Sequence, residues 1–451
     1  MRSLQISKDV SRFRRLPLLT DTWTISAAPG DILKGFLGAR LENTMDRIGY
    51  FIPEFPSQTH IMFWREYQAM LALGMKIEFI SSKRPISSLM AHSWSFEAEA
   101  VTEYLFPIKL SDLPSVLGVL VRAGPRKLWR VLKAVIESEG GLKAKLKLLS
   151  LVPFSAKLVG LTRRRGLAHV HVGSCGNAAN VAMLALLLGG TSYSLSLLGP
   201  RLETYGPNQV QKWKYARFGL CQSKQLYEEA KARIGADLPQ KVSVAPVGVD
   251  VDVMQRQTPF EPWPGQGPCR IYCCARLNPV KGHVFLIDAI KRLRTEFGVD
   301  AHLVLGGEDG DGGQGYRKVV EGKIEETGMT PHVTMLGAVS EENSRSEYAK
   351  AHVYAMASLD EAAGAVAAME AMAMEVPVVM TNVGATEELI DDGVDGLIVP
   401  PGDPVAIADA IHALLRDPGR AMMIGKAGRN KIIAEYSHRR SASQIRQFLH
   451  S

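Results

Sequence analysis

The chain has 451 residues, enough for two or three domains at roughly 150 residues each. It is 46% hydrophobic and 22% charged, a globular composition that excludes wholesale disorder. Its formal charge of +7 is too small by itself to mark a nucleic-acid binder. The cysteines, Cys175, Cys221, Cys269, Cys273 and Cys274, have no CxxC spacing. That argues against a disulfide framework and against a structural zinc site, and for reduced thiols in a cytoplasmic protein.

Residues 1–44 contain no continuous apolar run of the signal-peptide kind and are expected to be a leader outside the fold. Arg47 to Phe51 reads as a first strand, broken by Pro53, Pro56 and Ser57. Ile61 to Leu73 has helical spacing, and Lys76 to Ile80 is a second strand. His169 to Val172 is another strand, followed by a helix from Asn177 to Leu188 and strands at Ser192–Leu198, Phe218–Cys221 and Val242–Val247. The apolar stretch Val181–Leu198 is interrupted at Gly189 and Gly190, so it is helix, turn and strand and not a membrane span.

Thr258 to Pro268 (TPFEPWPGQGP) has almost no periodicity and reads as an interdomain linker. Alternation then restarts. Strands are expected at 270–275, 302–306, 333–336, 353–356 and 377–380, and helices at 283–297, 316–327, 341–350, 366–374 and 405–415. Two such runs predict an α/β protein of two doubly wound, Rossmann-like domains, 45–257 and 269–430. Residues 431–451 are expected to form a C-terminal helix that returns to the first domain. Ligands in such folds bind at the carboxyl ends of strands.

The strand-end loops were searched for chemistry on that basis. Arg276 and Lys281, in ARLNPVKGH, stand between a strand end and a helix start. Fixed cations beside free helix N–H groups suit phosphate oxygens, with a solvated basic loop as the alternative. Glu370 lies on a mostly apolar helix, where a carboxylate needs a cation or a ligand hydroxyl as partner. Thr381 to Glu388 reads as a loop with an ordinary helix cap. His169 and His171 share a strand face, and the strand-end position of His171 suggests substrate contact. A metal would need a third ligand, and none is evident nearby, so no metal site is assigned. Ser57, Gln58 and Thr59, in the loop after the first strand, are candidates for the cleft, as is Asn177.

At these residues the chain resembles the retaining glycosyltransferases of family 4, which have the two-domain GT-B fold with a central cleft. The segments ARLNPVKGH, VTMLGAVSEE and YAMASLDEAAGAVAAMEAMAMEVPVVMTNVGATEELIDDGVDGLIVPPGD carry the resemblance over about 130 residues. GYFIPEFPSQTHIMFWRE and HVHVGSCGNAAN resemble exopolysaccharide or colanic-acid-type members. The resemblance implies that Arg276 and Lys281 hold the donor diphosphate and assist its departure. It implies that Glu370 binds the ribose and that the backbone near Val339 contacts the base, with Gly364 also on the donor side. Glu361 then stands for the first glutamate of the family's pair, and Asn177 with Ser57, Gln58 and Thr59 for the acceptor side. The family needs neither cofactor nor metal beyond its nucleotide-sugar substrate, such as a UDP- or GDP-sugar.

Two departures stand out. The family has seven residues between its glutamates, whereas eight separate Glu361 from Glu370, and the strict position is Ala362. Leu198 stands where relatives often carry a histidine that contacts the transferred sugar. His171 or a backbone group would have to substitute, or activity would be low.

The charge is also local. Between Arg122 and Arg165 there are twelve Lys/Arg and two Glu, more than the excess of the whole chain. Arg126, Lys127, Arg130 and Lys133 interleave with Leu128, Trp129 and Leu132. Lys143, Lys145 and Lys147 interleave with Leu142 and Leu146. A basic amphipathic helix pair suits an anionic membrane surface, with a solvated helix face as the alternative; no nucleic-acid motif accompanies it. The expectation is a peripheral enzyme at the inner face of the cytoplasmic membrane. It would move a sugar from a nucleotide donor to a lipid-linked or polysaccharide acceptor. The rivals are a catalytically weak scaffold, favoured by Ala362 and Leu198, and a nucleotide-sugar epimerase, for which no convincing acid/base pair appears.

Overall fold

The computed structural model describes residues 47–361 and 364–451. The expected leader and Ala362 lie outside the described residues. The first half runs β1 (Arg47–Glu54), α1 (Ile61–Ala72), β2 (Lys76–Lys83), α2 (Ser95–Val101), β3 (Glu103–Tyr104), α3 (Leu113–Glu137), α4 (Leu142–Ser150), α5 (Val152–Arg165), β4 (His169–Val172), α6 (Asn177–Leu187), β5 (Ser192–Leu197), α7 (Gln209–Lys214), β6 (Gly219–Cys221), α8 (Lys224–Ile234) and β7 (Val242–Val244). Its strands form one parallel sheet in the order β3-β2-β1-β4-β5-β6-β7. Residues 258–268 contain neither helix nor strand.

The second half runs β8 (Cys269–Cys274), α9 (His283–Thr295), β9 (Ala301–Gly306), α10 (Arg317–Glu326), β10 (Val333–Met335), α11 (Glu341–Lys350), β11 (Val353–Met356), α12 (Val366–Ala373), β12 (Val378–Thr381), α13 (Thr386–Leu389), β13 (Leu397–Val399), α14 (Pro404–Arg416), α15 (Pro418–Glu435) and α16 (Arg439–His450). The sheet order is β10-β9-β8-β11-β12-β13, again parallel. The molecule is thus α/β, with two doubly wound, Rossmann-like domains. Each sheet reverses its winding once, between β1 and β4 and between β8 and β11, and the loops at those two points define the crevices.

Two features differ from the sequence reading for physical reasons. Strand β1 continues through Pro53 to Glu54, because β4 stops pairing at Phe51–Val172 and only β2 flanks the missing N–H. Helix α3 is bent at Gly124, which has φ 68° and precedes Pro125, so its two arms point differently. Helix α16 packs on the first domain: Ala442, Ile445 and Leu449 join the cluster of Tyr50, Phe63 and Phe79. Among the described residues no helix is long and apolar enough to cross a membrane.

Both sheets are covered on two faces, so their strands are nearly continuously buried. The polar exception is a ladder between β4 and β5. His169 bonds Ser192 and Ser194 at 2.7 and 2.8 Å, and His171 bonds Ser194 and Ser196 at 2.7 and 2.9 Å. Both rings are fully buried and stack against Phe218. Burial lowers His171 to about 3 and His283 to about 4. The unfolded chain takes up protons below its usual histidine value near 6.5, while the folded chain does not, so stability falls as pH drops through that window. Urea unfolding at pH 7.5 and 5.5 should show a loss of about 1.4 kcal/mol per buried histidine between the two. His171→Phe should be less stable at pH 7.5 but lose less on acidification.

Candidate active site

The loop after β8 carries Arg276, which is exposed and makes no hydrogen bond or ion pair among the described residues. Asn278 then turns the chain by accepting from Val280 N at 3.0 Å. Gly282 follows at φ 63°, and a Cβ there would lie 1.9 Å from the Ala357 carbonyl oxygen. Only glycine lets the two loops approach this closely. Leu359 N donates to Val280 O at 2.7 Å and completes the seam. It brings Lys281 to Glu361, and the two form an ion pair with side chains 18% and 13% exposed. Glu361 O in turn accepts from Ala385 N at 3.1 Å, which ties in the loop after β12. Arg276, Lys281 and Glu361 thus stand together at the β8/β11 reversal, with one exposed cation and one paired.

Gly307 supports the neighbouring loop. It has φ 130°, and a Cβ would meet Ala275 O at 2.1 Å. Asp309 organises the rest of that loop by accepting four backbone N–H groups, from Asp311, Gly313, Gly315 and Arg317, at 2.8–3.0 Å. Burial works against its charge, but the N–H groups outweigh it and hold the carboxyl below its usual range. Val339 is half-buried just before α11, and Gly364 (φ 75°) lines a cavity of about 140 Å³ with Ser223, Lys224, Glu388 and Arg440.

Glu370, on α12, has the partner its burial requires. It is 6% exposed, and its Oε1 lies 2.7 Å from Nη2 of Arg65. Arg65 belongs to α1 of the other domain, is 4% exposed, and also reaches Glu341 Oε1 with Nη2 at 2.7 Å and Nε at 3.2 Å. Burial disfavours its charge, and Glu370 and Glu341 more than restore it. The Tyr348 hydroxyl lies 3.1 Å from Glu370 Oε2 and 2.9 Å from Ala367 O. Sequence reasoning missed Arg65 and Glu341. The available signal was that Arg65 shares a helical face with Ile61 and Ala69, both buried, where an arginine needs an explanation.

The first-domain candidates separate. Thr59 and Asn177 are exposed at the ends of β1 and β4, and Ser57 is buried. Gln58 is not free for an acceptor: its amide donates to Glu308 O at 2.9 Å and accepts from Glu308 N at 3.0 Å, a double bond pair across the domains. The expectation for His171 is corrected. Both its ring nitrogens are engaged in the serine ladder, and no exposed edge remains to contact a sugar. It therefore offers no substitute for the histidine replaced by Leu198. Burial first, and then Arg276, lower His60 to about 3, so a neutral imidazole faces that cation.

On the α3–α4 surface, Arg126, Arg130, Lys133, Lys143 and Lys147 are exposed. Lys127 is half-buried, and Lys145 donates to the Ile136 carbonyl, where it caps α3. The apolar residues divide. Val131, Ala134 and Val135 face the core, while Leu117, Val121, Trp129, Ile136, Leu142 and Leu146 are between 54% and 80% exposed.

Residues 257–431 match the family described as glycosyl transferases group 1. The match lies over the second half, from the end of the first domain into α15. Over 185 residues the chain is 29% identical to the GDP-mannose-dependent alpha-(1-6)-phosphatidylinositol monomannoside mannosyltransferase of Mycobacterium tuberculosis, covering 40% of this chain and 46% of that protein. The chain thus spans about half the length of these curated relatives. The amylovoran biosynthesis glycosyltransferase AmsK of Erwinia amylovora is 22% identical over 89% of this chain and 99% of its own. The crystal structure of Anabaena HepE in complex with UDP and glucose covers 90% of this chain and 100% of its own, with a TM-score of 0.67 at 17% identity. That likeness shows the fold, which is of GT-B type.

The close loop seam gives a direct test. Gly282→Ala should destabilise the protein by about 1–3 kcal/mol, because positive φ and the Ala357 carbonyl both oppose a side chain. Urea unfolding checks this; an unchanged midpoint would contradict the geometry.

Proposed function

We propose that this protein is a retaining glycosyltransferase that moves a sugar from a nucleotide-sugar donor to a lipid-linked or polysaccharide acceptor. The observation that supports the reading is that Arg276 and Lys281 lie in the loop after β8, Glu361 in the loop after β11 and Glu370 on the helix that follows, all next to the β8/β11 reversal, with Lys281 paired to Glu361. Two cations beside a helix start suit a diphosphate. As the glycosidic bond to the leaving diphosphate breaks, negative charge grows on its oxygens, and fixed cations lower that barrier without a metal. Glu370 accepts ribose hydroxyls and fixes the donor's orientation, so the remaining contribution is positioning. Similar proteins favour this chemistry: HepE was crystallised with UDP and glucose, and AmsK is a glycosyltransferase of amylovoran biosynthesis. Substituting Arg276→Ala together with Lys281→Ala should abolish transfer and weaken UDP or GDP binding by at least about a hundredfold, since each lost charge-assisted contact costs about 1.5–3 kcal/mol. Calorimetry with wild-type affinity in the double variant would sink the assignment.

The acceptor reading includes the membrane. Exposed Trp129, Leu132, Ile136, Leu142 and Leu146 alternate along the chain with Arg126, Arg130, Lys143 and Lys147, which is the composition of an interfacial helix pair. Such a surface would hold the first domain at an anionic inner leaflet, where a lipid-linked acceptor presents itself. Flotation with vesicles containing anionic lipid should recover the protein at low salt, and less at high salt. Arg126→Glu with Arg130→Glu should reduce recovery several-fold, and equal recovery would refute the surface.

A further inference from the structure

We propose that Arg65 is a latch on the donor site: it holds Glu370 when no nucleotide is bound and is displaced when ribose hydroxyls take the same carboxylate. This rests on the reading of Glu370 as the ribose contact.

The geometry makes the two partners exclusive. Glu370 and Arg65 side chains are 8% and 3% exposed, and Nη2 of Arg65 covers Oε1 at 2.7 Å. The other oxygen faces the Tyr348 hydroxyl at 3.1 Å. An incoming hydroxyl reaches Oε1 only after Arg65 has moved. Arg65 belongs to α1, so its departure is a movement of its side chain, or of that helix, away from α12 while Glu341 on α11 keeps hold of the guanidinium.

The contact is also balanced for release. Nη1 of Arg65 is buried without a hydrogen-bond partner among the described residues, which is an unfavourable term in the latched arrangement. Glu341 takes two bonds from the same guanidinium, through Nε and Nη2. Arg65 can therefore leave Glu370 without becoming an unpaired buried charge. Loss of one carboxylate leaves the other, and the ribose hydroxyls satisfy the one vacated.

The neighbouring domain contacts share this character. Glu388 accepts from the Lys224 and Gln225 N–H groups at the start of α8 at 2.7 and 2.8 Å, and Glu342 accepts from Ser93 Oγ at 2.9 Å. The second domain presents carboxylates, and the first presents donors. Polar contacts of this kind exchange for water or ligand at small net cost, unlike a packed apolar interface. Nucleotide and latch then oppose each other through one carboxylate, and the apparent affinity is reduced by the fraction of molecules in which Glu370 is taken.

Calorimetry with UDP and with GDP tests this on the full chain, using wild type, Arg65→Met, Arg65→Lys and Glu370→Gln. Arg65→Met should bind one of the nucleotides about tenfold tighter than wild type. Arg65→Lys, which keeps the charge but lacks the planar fork, should change in the same direction by less. A gain of affinity is not what general loosening of the fold produces. Unchanged or weaker binding by Arg65→Met overturns the latch and makes Arg65 a prop for Glu370. Where Arg65→Met does not fold, Arg65→Lys decides by the same criterion. Glu370→Gln should bind at least several-fold weaker. If it binds as wild type does, the ribose reading of Glu370 has failed, which is a different result from failure of the latch.

Discussion

A guanidinium that is 4% exposed carries a large desolvation cost at an interface unless carboxylates meet it there. Arg65 has two, and both come from the other domain. That constraint fixes how the two halves face each other, because α1 must lie where α11 and α12 bring Glu341 and Glu370 together. The Glu388 bonds to α8 follow the same polarity, and the Gln58–Glu308 pair adds one bond in each direction through the Glu308 backbone. The cleft is therefore defined by hydrogen bonds between the domains as much as by the shape of either one.

Within the second domain the corresponding constraint is backbone proximity. Gly282 and Gly307 allow loops to approach carbonyls at distances no side chain would tolerate. The loops after β8, β9 and β11 are thereby drawn into one patch, and Lys281 and Glu361 meet. Arg276 remains exposed in the same loop as Lys281, with no hydrogen bond or ion pair among the described residues. The same sheet geometry that buries the strands thus concentrates charge at one edge.

Much of the fold was legible in the sequence because parallel strands buried on both faces give short apolar runs, and helices with 3.6 periodicity separate them. The placement of Arg276 and Lys281 after a strand end and of Glu370 on an apolar helix was legible too, since charge in such places requires an explanation. Other roles were not. His171 looked like a strand-end ligand, yet both its nitrogens answer serines on the adjacent strand, and pairing partners are fixed by register and not by spacing along one segment. Gln58 looked free in a loop, but Glu308 lies 250 residues away. Lys145 counted as surface charge and serves as a cap for α3.

The sequence alone determined what is local: alternating strands and helices, the position of the loops, the concentration of positive charge between Arg122 and Arg165, and the identity of the cations near β8. These follow from backbone preference and side-chain polarity acting over a few residues. Tertiary structure alone decided the partners. It assigned Glu370 to Arg65 and Lys281 to Glu361. It also turned Val131 and Val135 inward while leaving Trp129 and Ile136 in solvent. Ion pairing and burial depend on which surfaces meet in space, and that is set by the packing of elements far apart in the chain.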